Sequence, residues 1–343
     1  VIDLHAGRRR PANPADLITL QAPVVWGESA QAPRWERAME EWFPDAEVRA
    51  YVKRVTGSVL VGAQRDHVFV IHYGQGRNGK GTYVRALQRV LGPYCVVIHL
   101  GLLVEQKYNQ HDTVKAELFR TRLAVASETQ RRVKLDEANV KNLTGGDRIT
   151  ARRMREDPWE YDPSHSLWLQ TNHLPAISGR DRGIWSRIRV VKWVTTFEEK
   201  QQDQKLDDTL AAEAPGILAW LVEGCLEWQE HGLAEPESVI RETLKYRNAE
   251  DVLSRFVKDV GLEFRSGLEI KAGELQDLLR DWAAEEGIDS PSQDMAGWLH
   301  EKGVHQKRKY YFVDEKTRKR ARFWIGVGID DESDEEAQVE LPK

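Results

Sequence analysis

The sequence predicts an α/β protein with a small helical piece in front and a winged-helix unit behind. Three observations carry that reading. Short apolar runs alternate with helical periodicity between residues 67 and 194, the pattern of a largely parallel sheet. One of those runs, residues 67–73, leads straight into GQGRNGKGT, a glycine-rich turn that opens a helix. Beyond residue 250, two amphipathic helices precede a basic hairpin pattern.

Residues 1–32 read as loops and short strands punctuated by Pro and Gly. Trp35, Ala38, Met39 and Trp42 then fall at i, i+3, i+4 and i+7, and Val48, Tyr51, Val52 and Val55 repeat that spacing. Asp45 is placed to cap the second of these helices. Residues 1–60 are thus expected to form a helical, collar-like region. The α/β core is expected over 61–232, with strands at 67–73, 123–126, 167–169 and 188–194. Val84, Leu87, Val90 and Leu91 mark the helix after the first strand, and Gly92-Pro93 stops it. Ile217, Leu218, Leu221, Val222, Cys225 and Leu226 form a further apolar stripe, and residues 232–238 read as a linker.

The winged-helix unit is expected over 240–329. Leu275, Leu278, Leu279 and Trp282 give one helix. Ser290-Pro291-Ser292-Gln293 is a capping box that opens another, carrying Met295, Trp298 and Leu299 and ending at Gly303. Hairpin strands are expected at 310–313 and 322–327. Residues 330–343 are expected to be a disordered acidic tail.

Composition narrows the class. At 343 residues the chain exceeds one ordinary core, so at least two domains are expected. Charged residues make up 31% and no apolar run is long enough to span a bilayer, so no membrane association and a cytoplasmic location are expected. The chain starts at Val1, which suggests a piece of a longer protein. The two cysteines, Cys95 and Cys225, make no C-x-x-C pair, which argues against a disulfide framework or a zinc site. The net charge is -5, but the last fourteen residues hold seven acids and one lysine, which leaves the rest slightly basic. Nucleic acid therefore remains a possible partner.

The glycine loop almost matches G-x-x-x-x-G-K-[ST]. Gly74, Gly79 and Lys80 fit, but Gly81 takes the hydroxyl position and Thr82 follows it. A buried strand before the loop and a helix after it would turn backbone N–H groups and the helix N-terminus toward an anion. Gly74, Gly76, Gly79 and Gly81 would let the backbone approach closely, and Lys80 would reach the phosphates. Thr82 would either act on Mg²⁺ through a water or bind phosphate while the metal is held elsewhere. Gly-Lys-Gly-Thr also occurs in adenylate kinases, so the loop alone leaves a small-molecule phosphotransferase open. A hydrolase needs a carboxylate at a neighbouring strand end, and Glu128 supplies one. Asn172, at the end of the strand near 167–169, fits a sensor of the γ-phosphate. Arg187 and Arg189 are candidates for an arginine donated to a neighbouring subunit.

Five segments occur in order: residues 74–82, RLAVASET at 122–129, LTGGDRITARRM at 143–154, LWLQTNHLP at 167–175 and GIWSRIRVV at 183–191. As an ordered set they resemble the helicase half of phage and plasmid primase–helicases. Those are superfamily 3 helicases with an AAA+ fold, related to the poxvirus primase–helicase. The resemblance runs from about residue 1 to 260, and VIDLHAG at the start is similar to the segment that follows the primase part. It implies an AAA+ P-loop ATPase core and a homohexameric, ATP-dependent DNA helicase in phage or plasmid replication. The partners implied are single-stranded and forked DNA, other copies of the chain and an upstream primase domain. The location implied is the host cytoplasm.

The same resemblance assigns roles. Lys80 with Gly74, Gly76, Asn78, Gly79, Gly81 and Thr82 forms the Walker A site for ATP. Thr82 and Glu128 hold Mg²⁺, Asn172 is the sensor, and Arg187 is the arginine finger, with Arg189 in reserve and Arg182 weaker. The sequence departs from the pattern at Ser127, where many members carry a first acidic residue; Glu128 would then serve alone.

Residues 149–169 read as a hairpin before the sensor strand. The resemblance places such a hairpin in the ring channel, with Arg152, Arg153 and Arg155 on DNA phosphates and Lys141 weaker. A second basic patch lies between 305 and 324, led by Lys307, Arg308 and Lys309, with Tyr310, Tyr311, Phe312 and Phe323 interleaved. Either patch could instead be a solvated basic surface. Two other functions stay open: a DNA-binding initiator or loader that does not unwind, and the phosphotransferase.

Overall fold

Five short strands build the centre of the N-terminal unit: β1 (Phe69–Tyr73), β2 (Cys95–Ile98), β3 (Leu123–Glu128), β4 (Ser166–Thr171) and β5 (Ile188–Lys192). All neighbouring pairs are parallel and the order is β2-β3-β4-β1-β5. The computed structural model describes residues 1–63, 65–106, 113–128, 133–177, 181–288, 295–312 and 317–329, with Glu128 described by its backbone alone. The acidic tail at 330–343, the capping box at 290–293 and the hairpin turn at 314–316 lie outside the described residues.

Successive residues on each strand feed opposite cores, as a two-residue side-chain period requires. Val70, Val125, Trp168 and Val191 pack on one side, with helices Pro33–Trp42, Ala46–Ser58, Lys80–Leu91 and Ala214–His231. Phe69, Ile71, Ala124, Ala126, Leu167, Leu169, Ile188 and Val190 pack on the other, with helix Glu137–Thr144. Both faces are covered, which is why the strands read as nearly continuous apolar runs. β2 was not expected from the sequence. It is a four-residue edge strand with Val97 half exposed, too short to stand out from its surroundings.

The front helices are not a body of their own. Trp35, Met39, Trp42 and Tyr51 are buried in the same core as Tyr83 of the helix after the glycine loop. Asp45 caps the second helix as expected, accepting from the Glu47 and Val48 N–H groups. The contacts divide the chain into Val1–Ile177 with Asp181–Arg247, and a second unit from Asn248 onward. The division thus falls later than the 232–240 boundary expected from Gly232 and Pro236. Helix Glu237–Glu250 follows those breakers yet buries Val239 and Tyr246 in the first unit, with Tyr246 edge-on to Trp185 at 5.1 Å.

Two glycines set the approach of helices Ala46–Ser58 and Ala214–His231. A Cβ at Gly57 would lie 2.2 Å from the Cys225 backbone nitrogen, and one at Gly224 would lie 2.3 Å from the Lys53 carbonyl oxygen. Backbone cannot swing aside as a side-chain tip can. Gly57→Ala is therefore expected to destabilise the unit by about 1–3 kcal/mol, despite the gain of up to about 1 kcal/mol in helix propensity. A denaturant midpoint equal to wild type would show that the helices part without cost.

In the second unit, helices Val252–Val260, Ala272–Glu285 and Met295–Glu301 enclose a core of Leu253, Phe256, Leu275, Leu279, Trp282, Trp298, Leu299 and Trp324. An antiparallel sheet joins Glu269–Lys271, Arg318–Ile325 and His305–Phe312, with Arg318–Ile325 in the middle. The hairpin strands start earlier than the expected 310 and 322. Residues 305–308 and 318–320 are polar and exposed, so no apolar alternation marks them. Among the described residues no single helix is long and apolar enough to cross a membrane.

Candidate functional site

β1 is buried through His72 and passes directly into the glycine loop, and Gly79 caps helix Lys80–Leu91. Gly79 has φ +92°, and a Cβ there would lie 2.1 Å from Trp42 Nε1. Only glycine meets both conditions. Gly74 is equally constrained, since its Cβ would lie 2.6 Å from the Trp193 carbonyl oxygen. Gly76 has nothing within 4 Å, so the loop is open there. The loop is pinned at two points: the Gly74 N–H donates to the Thr171 carbonyl at 3.3 Å, and the Phe197 N–H donates to the Arg77 carbonyl at 2.8 Å.

Lys80 folds back into this loop. Its Nζ donates to Gly74 O at 2.6 Å, Asn172 Oδ1 at 3.1 Å, Asn78 Oδ1 at 3.2 Å and Gln75 O at 3.3 Å. The side chain is 5% exposed, and burial pushes its pKa down to about 8. These acceptors are all neutral oxygens, so they solvate the ammonium without cancelling its charge. Asn78 Nδ2 is also buried and has no acceptor among the described residues. A lysine ammonium, an unused amide donor and the first turn of a helix therefore converge on one open loop, a combination that suits an anion.

Sheet topology brings the other sequence-predicted residues to the same edge. Tyr73 of β1 is in register with Thr171 of β4, and Thr171 with Glu128 of β3. The loop, Asn172 and the Glu128 backbone thus sit on three adjacent strands at their carboxyl ends. The Asn172–Lys80 bond joins two motifs 92 residues apart. The Glu128 side chain lies outside the described residues, and Ser127 beside it is exposed. Thr82 Oγ1 accepts from Arg85 at 2.9 Å, and Arg85 also grips the Asp207 carboxylate at 2.8 Å. The sequence reading missed Arg85 and Asp207; the i, i+3 spacing of Thr82 and Arg85 was the only available signal.

His72, one residue before the end of β1, accepts from Trp193 Nε1 at 3.1 Å through Nδ1. Burial, and then the nearby Lys80 charge, hold its pKa down near 3, so it stays neutral beneath the loop. It sits in an aromatic cluster with Tyr83, Trp168 and Trp193.

The arginines behave differently. Arg187 precedes β5, and its carbonyl accepts from the Phe69 N–H at 2.7 Å. That is the amino end of β1, about 17 Å of strand away from the loop. Arg187 donates to Gly183 O at 2.6 Å, while its Nε is buried without a partner among the described residues. Arg189 is half-buried and committed to Glu235 and to the Ser186 and Ile188 carbonyls. Lys141 pairs with Asp181 and, with the neighbouring backbone and charges, holds that carboxyl below its usual range; Arg182 is exposed.

The hairpin before β4 is present, with Ile149–Ala151 paired to Trp159–Tyr161. Its turn carries Arg152, Arg153 and Arg155, all exposed, with Arg153 5.0 Å from the Trp159 ring centre. In the second unit Lys307 and Arg308 are exposed, while Lys309 is bonded to Glu269.

Known proteins are similar to this chain in sequence and in fold. Residues 72–187 match a family of unknown function, DUF5906, a span that covers the loop, the hairpin and Arg187. The mimivirus (Acanthamoeba polyphaga mimivirus) protein "Putative helicase L207/L206" is 26% identical over 76% of this chain and 29% of its own length. "Putative helicase 184R" of Invertebrate iridescent virus 6 is 28% identical over 61% of this chain and 23% of its own length. "Putative primase C962R" of African swine fever virus (isolate Warthog/Namibia/Wart80/1980) is 20% identical over 65% of this chain and 25% of its own length. The chain thus spans less than a third of the length of these relatives. Among solved structures, the apo NrS-1 C-terminal region shares the fold at a TM-score of 0.50 and 14% identity, covering 87% of this chain and 77% of that one. The chain is a distant homologue of these viral helicases and primases, in line with the resemblance carried by its ordered motifs.

Proposed function

We propose that the first unit is an AAA+ ATPase that assembles into a homohexameric ring and drives DNA unwinding. The observation that carries this is the buried Lys80 ammonium, held by neutral oxygens at a helix N-terminus and bonded to Asn172. ATP would place its phosphates over the loop, with Lys80 and the Gly76, Asn78, Gly79 and Gly81 segment around them. Asn172 would position the γ-phosphate or the attacking water, and Glu128 would polarise that water. Thr82 and Glu128 would hold Mg²⁺, which would neutralise phosphate charge. Thr82 stands in the first helical turn, and its hydroxyl would have to exchange the Arg85 guanidinium for the ion. Arg187 would act on the next subunit's nucleotide. The exposed arginines of the hairpin turn would hold phosphates of a single strand in the ring channel. The helices, three-stranded sheet and basic hairpin of the second unit support a winged helix that binds DNA.

ATP turnover with and without single-stranded DNA tests this reading. Stimulation by DNA, followed by strand displacement, is the expected result. Stimulated turnover without displacement would favour an initiator or loader, and turnover that ignores DNA would favour the phosphotransferase.

A pH dependence follows from Lys80. Its ordinary pKa is near 10.4, but burial brings it to about 8 in the free protein. Bound phosphate would raise it again, so binding takes up a proton above pH 8. ATP affinity is expected to fall by up to about tenfold per pH unit above 8. The Lys80→Arg variant keeps its charge and should show a flatter profile. Titrations from pH 7 to 10 check this; a wild-type affinity that does not change would count against Lys80 as the phosphate ligand.

A further inference from the structure

One face of the second unit's hairpin packs Trp324 into the core at its base, and beyond that residue the same face runs out past the core with its side chains exposed. Cross-strand register places Arg308 opposite Arg322, Tyr310 opposite Arg320 and Phe312 opposite Arg318. Residues two apart share a face, so these six lie together. Contacts agree: the Arg318 guanidinium lies 4.2 Å from the Tyr310 ring centre and 6.0 Å from that of Phe312, and Arg320 lies 5.6 Å from Tyr310. Tyr310 is 56% exposed and Phe312 69%. The opposite face is already engaged: Lys309 pairs with Glu269, and Lys271 sits 4.3 Å from the Tyr311 ring centre.

Large exposed rings cost solubility unless something covers them. Four guanidiniums with no carboxylate among these six residues select a polyanion. The two rings stand about 7 Å apart along the strand, a spacing suited to successive bases of an extended strand. A duplex keeps its base faces stacked and cannot offer them to a flat ring. We propose that this face binds single-stranded nucleic acid, with Tyr310 and Phe312 stacking on unpaired bases and Arg308, Arg318, Arg320 and Arg322 holding the backbone. The proposal deepens the DNA reading above and rests on it. It shifts the emphasis away from Lys307 and Lys309, which lie on the other face.

The test is binding of a labelled oligo-dT, an oligo-U and a duplex of equal length to the full chain, read by fluorescence anisotropy across a salt series. Tyr310→Ala with Phe312→Ala should weaken single-strand binding by about tenfold or more per ring while sparing the duplex. Tyr310→Phe should retain binding. Arg318→Gln with Arg320→Gln should weaken both forms and lower the single-strand salt slope by about 1.4. Equal losses on oligo-dT and oligo-U would support recognition through the bases and phosphates rather than the sugar. Melting curves confirm folding of each variant, since the changed side chains are exposed. Single-strand binding that ignores the loss of both rings, or falls equally with the duplex, overturns the stacking proposal alone. A wild-type chain that binds no nucleic acid overturns the DNA reading and this proposal together.

Discussion

Replacing Lys80 with alanine is expected to reduce ATP turnover by at least about 10²–10³-fold without lowering the melting temperature. The two halves of that expectation come from the same geometry. Lys80 brings a positive charge to the open glycine loop, and the described groups around it are neutral. Without it, a bound γ-phosphate would lose the charged partner proposed for it, and Asn172 would lose the group that ties it to the loop. Stability responds differently. Folding lowers the lysine pKa, so the charged form is disfavoured in the folded state. The unfolded chain then binds more protons than the folded chain between pH 8 and the ordinary lysine value, and wild-type stability should rise through that window. Lys80→Met should show no such rise. Removing the ammonium relieves its desolvation, and this offsets the lost hydrogen bonds. A marked fall in melting temperature with turnover preserved would mean that Lys80 closes a structural turn and binds no phosphate.

Much of this site was legible because its parts are local. A buried strand, a glycine loop and a helix form one continuous stretch, and their spacing alone placed Lys80 at the helix start. Asn172 was legible because a strand end followed by a polar residue is also a local signal. That it bonds to Lys80 depends on β1 and β4 being neighbours, which no local pattern specifies. The same limit explains the rest. Trp35, Met39 and Trp42 announced a helix face but not its partner, and that partner is the helix after the loop. Gly232 and Pro236 read as a boundary because breakers are local, whereas the burial of Tyr246 against Trp185 is not. β2 has four residues and an exposed side, too little pattern to register. Arg85 looked like any exposed helical arginine until Asp207, far along the chain, came beside it.

Arg187→Ala is expected to abolish turnover as fully as Lys80→Ala, and mixtures of the two inactive proteins should recover activity. Arg187 sits at the amino end of the parallel sheet, where its carbonyl receives the Phe69 N–H, while the glycine loop leaves the carboxyl end of β1. The strand between them is about 17 Å long, well beyond the reach of an arginine side chain, so Arg187 cannot serve its own loop. The guanidinium is also poorly employed inside its own unit, with one bond to Gly183 O and a buried Nε lacking a partner among the described residues. Removing it should cost little stability. Arg189 provides the contrast: it is tied to Glu235 and two carbonyls, so Arg189→Ala should lower the melting temperature more than Arg187→Ala does. If each ATP lies between neighbours in a ring, a competent interface needs an intact Lys80 on one side and an intact Arg187 on the other. In an equal random mixture about a quarter of interfaces meet that condition, so recovery should approach that fraction of wild-type turnover. Arg187→Lys should recover little alone, because a point charge lacks the planar fork that spans phosphate oxygens. Mixtures that stay inactive at every ratio, with subunit exchange shown separately, would remove Arg187 from the shared site and with it the argument for a ring.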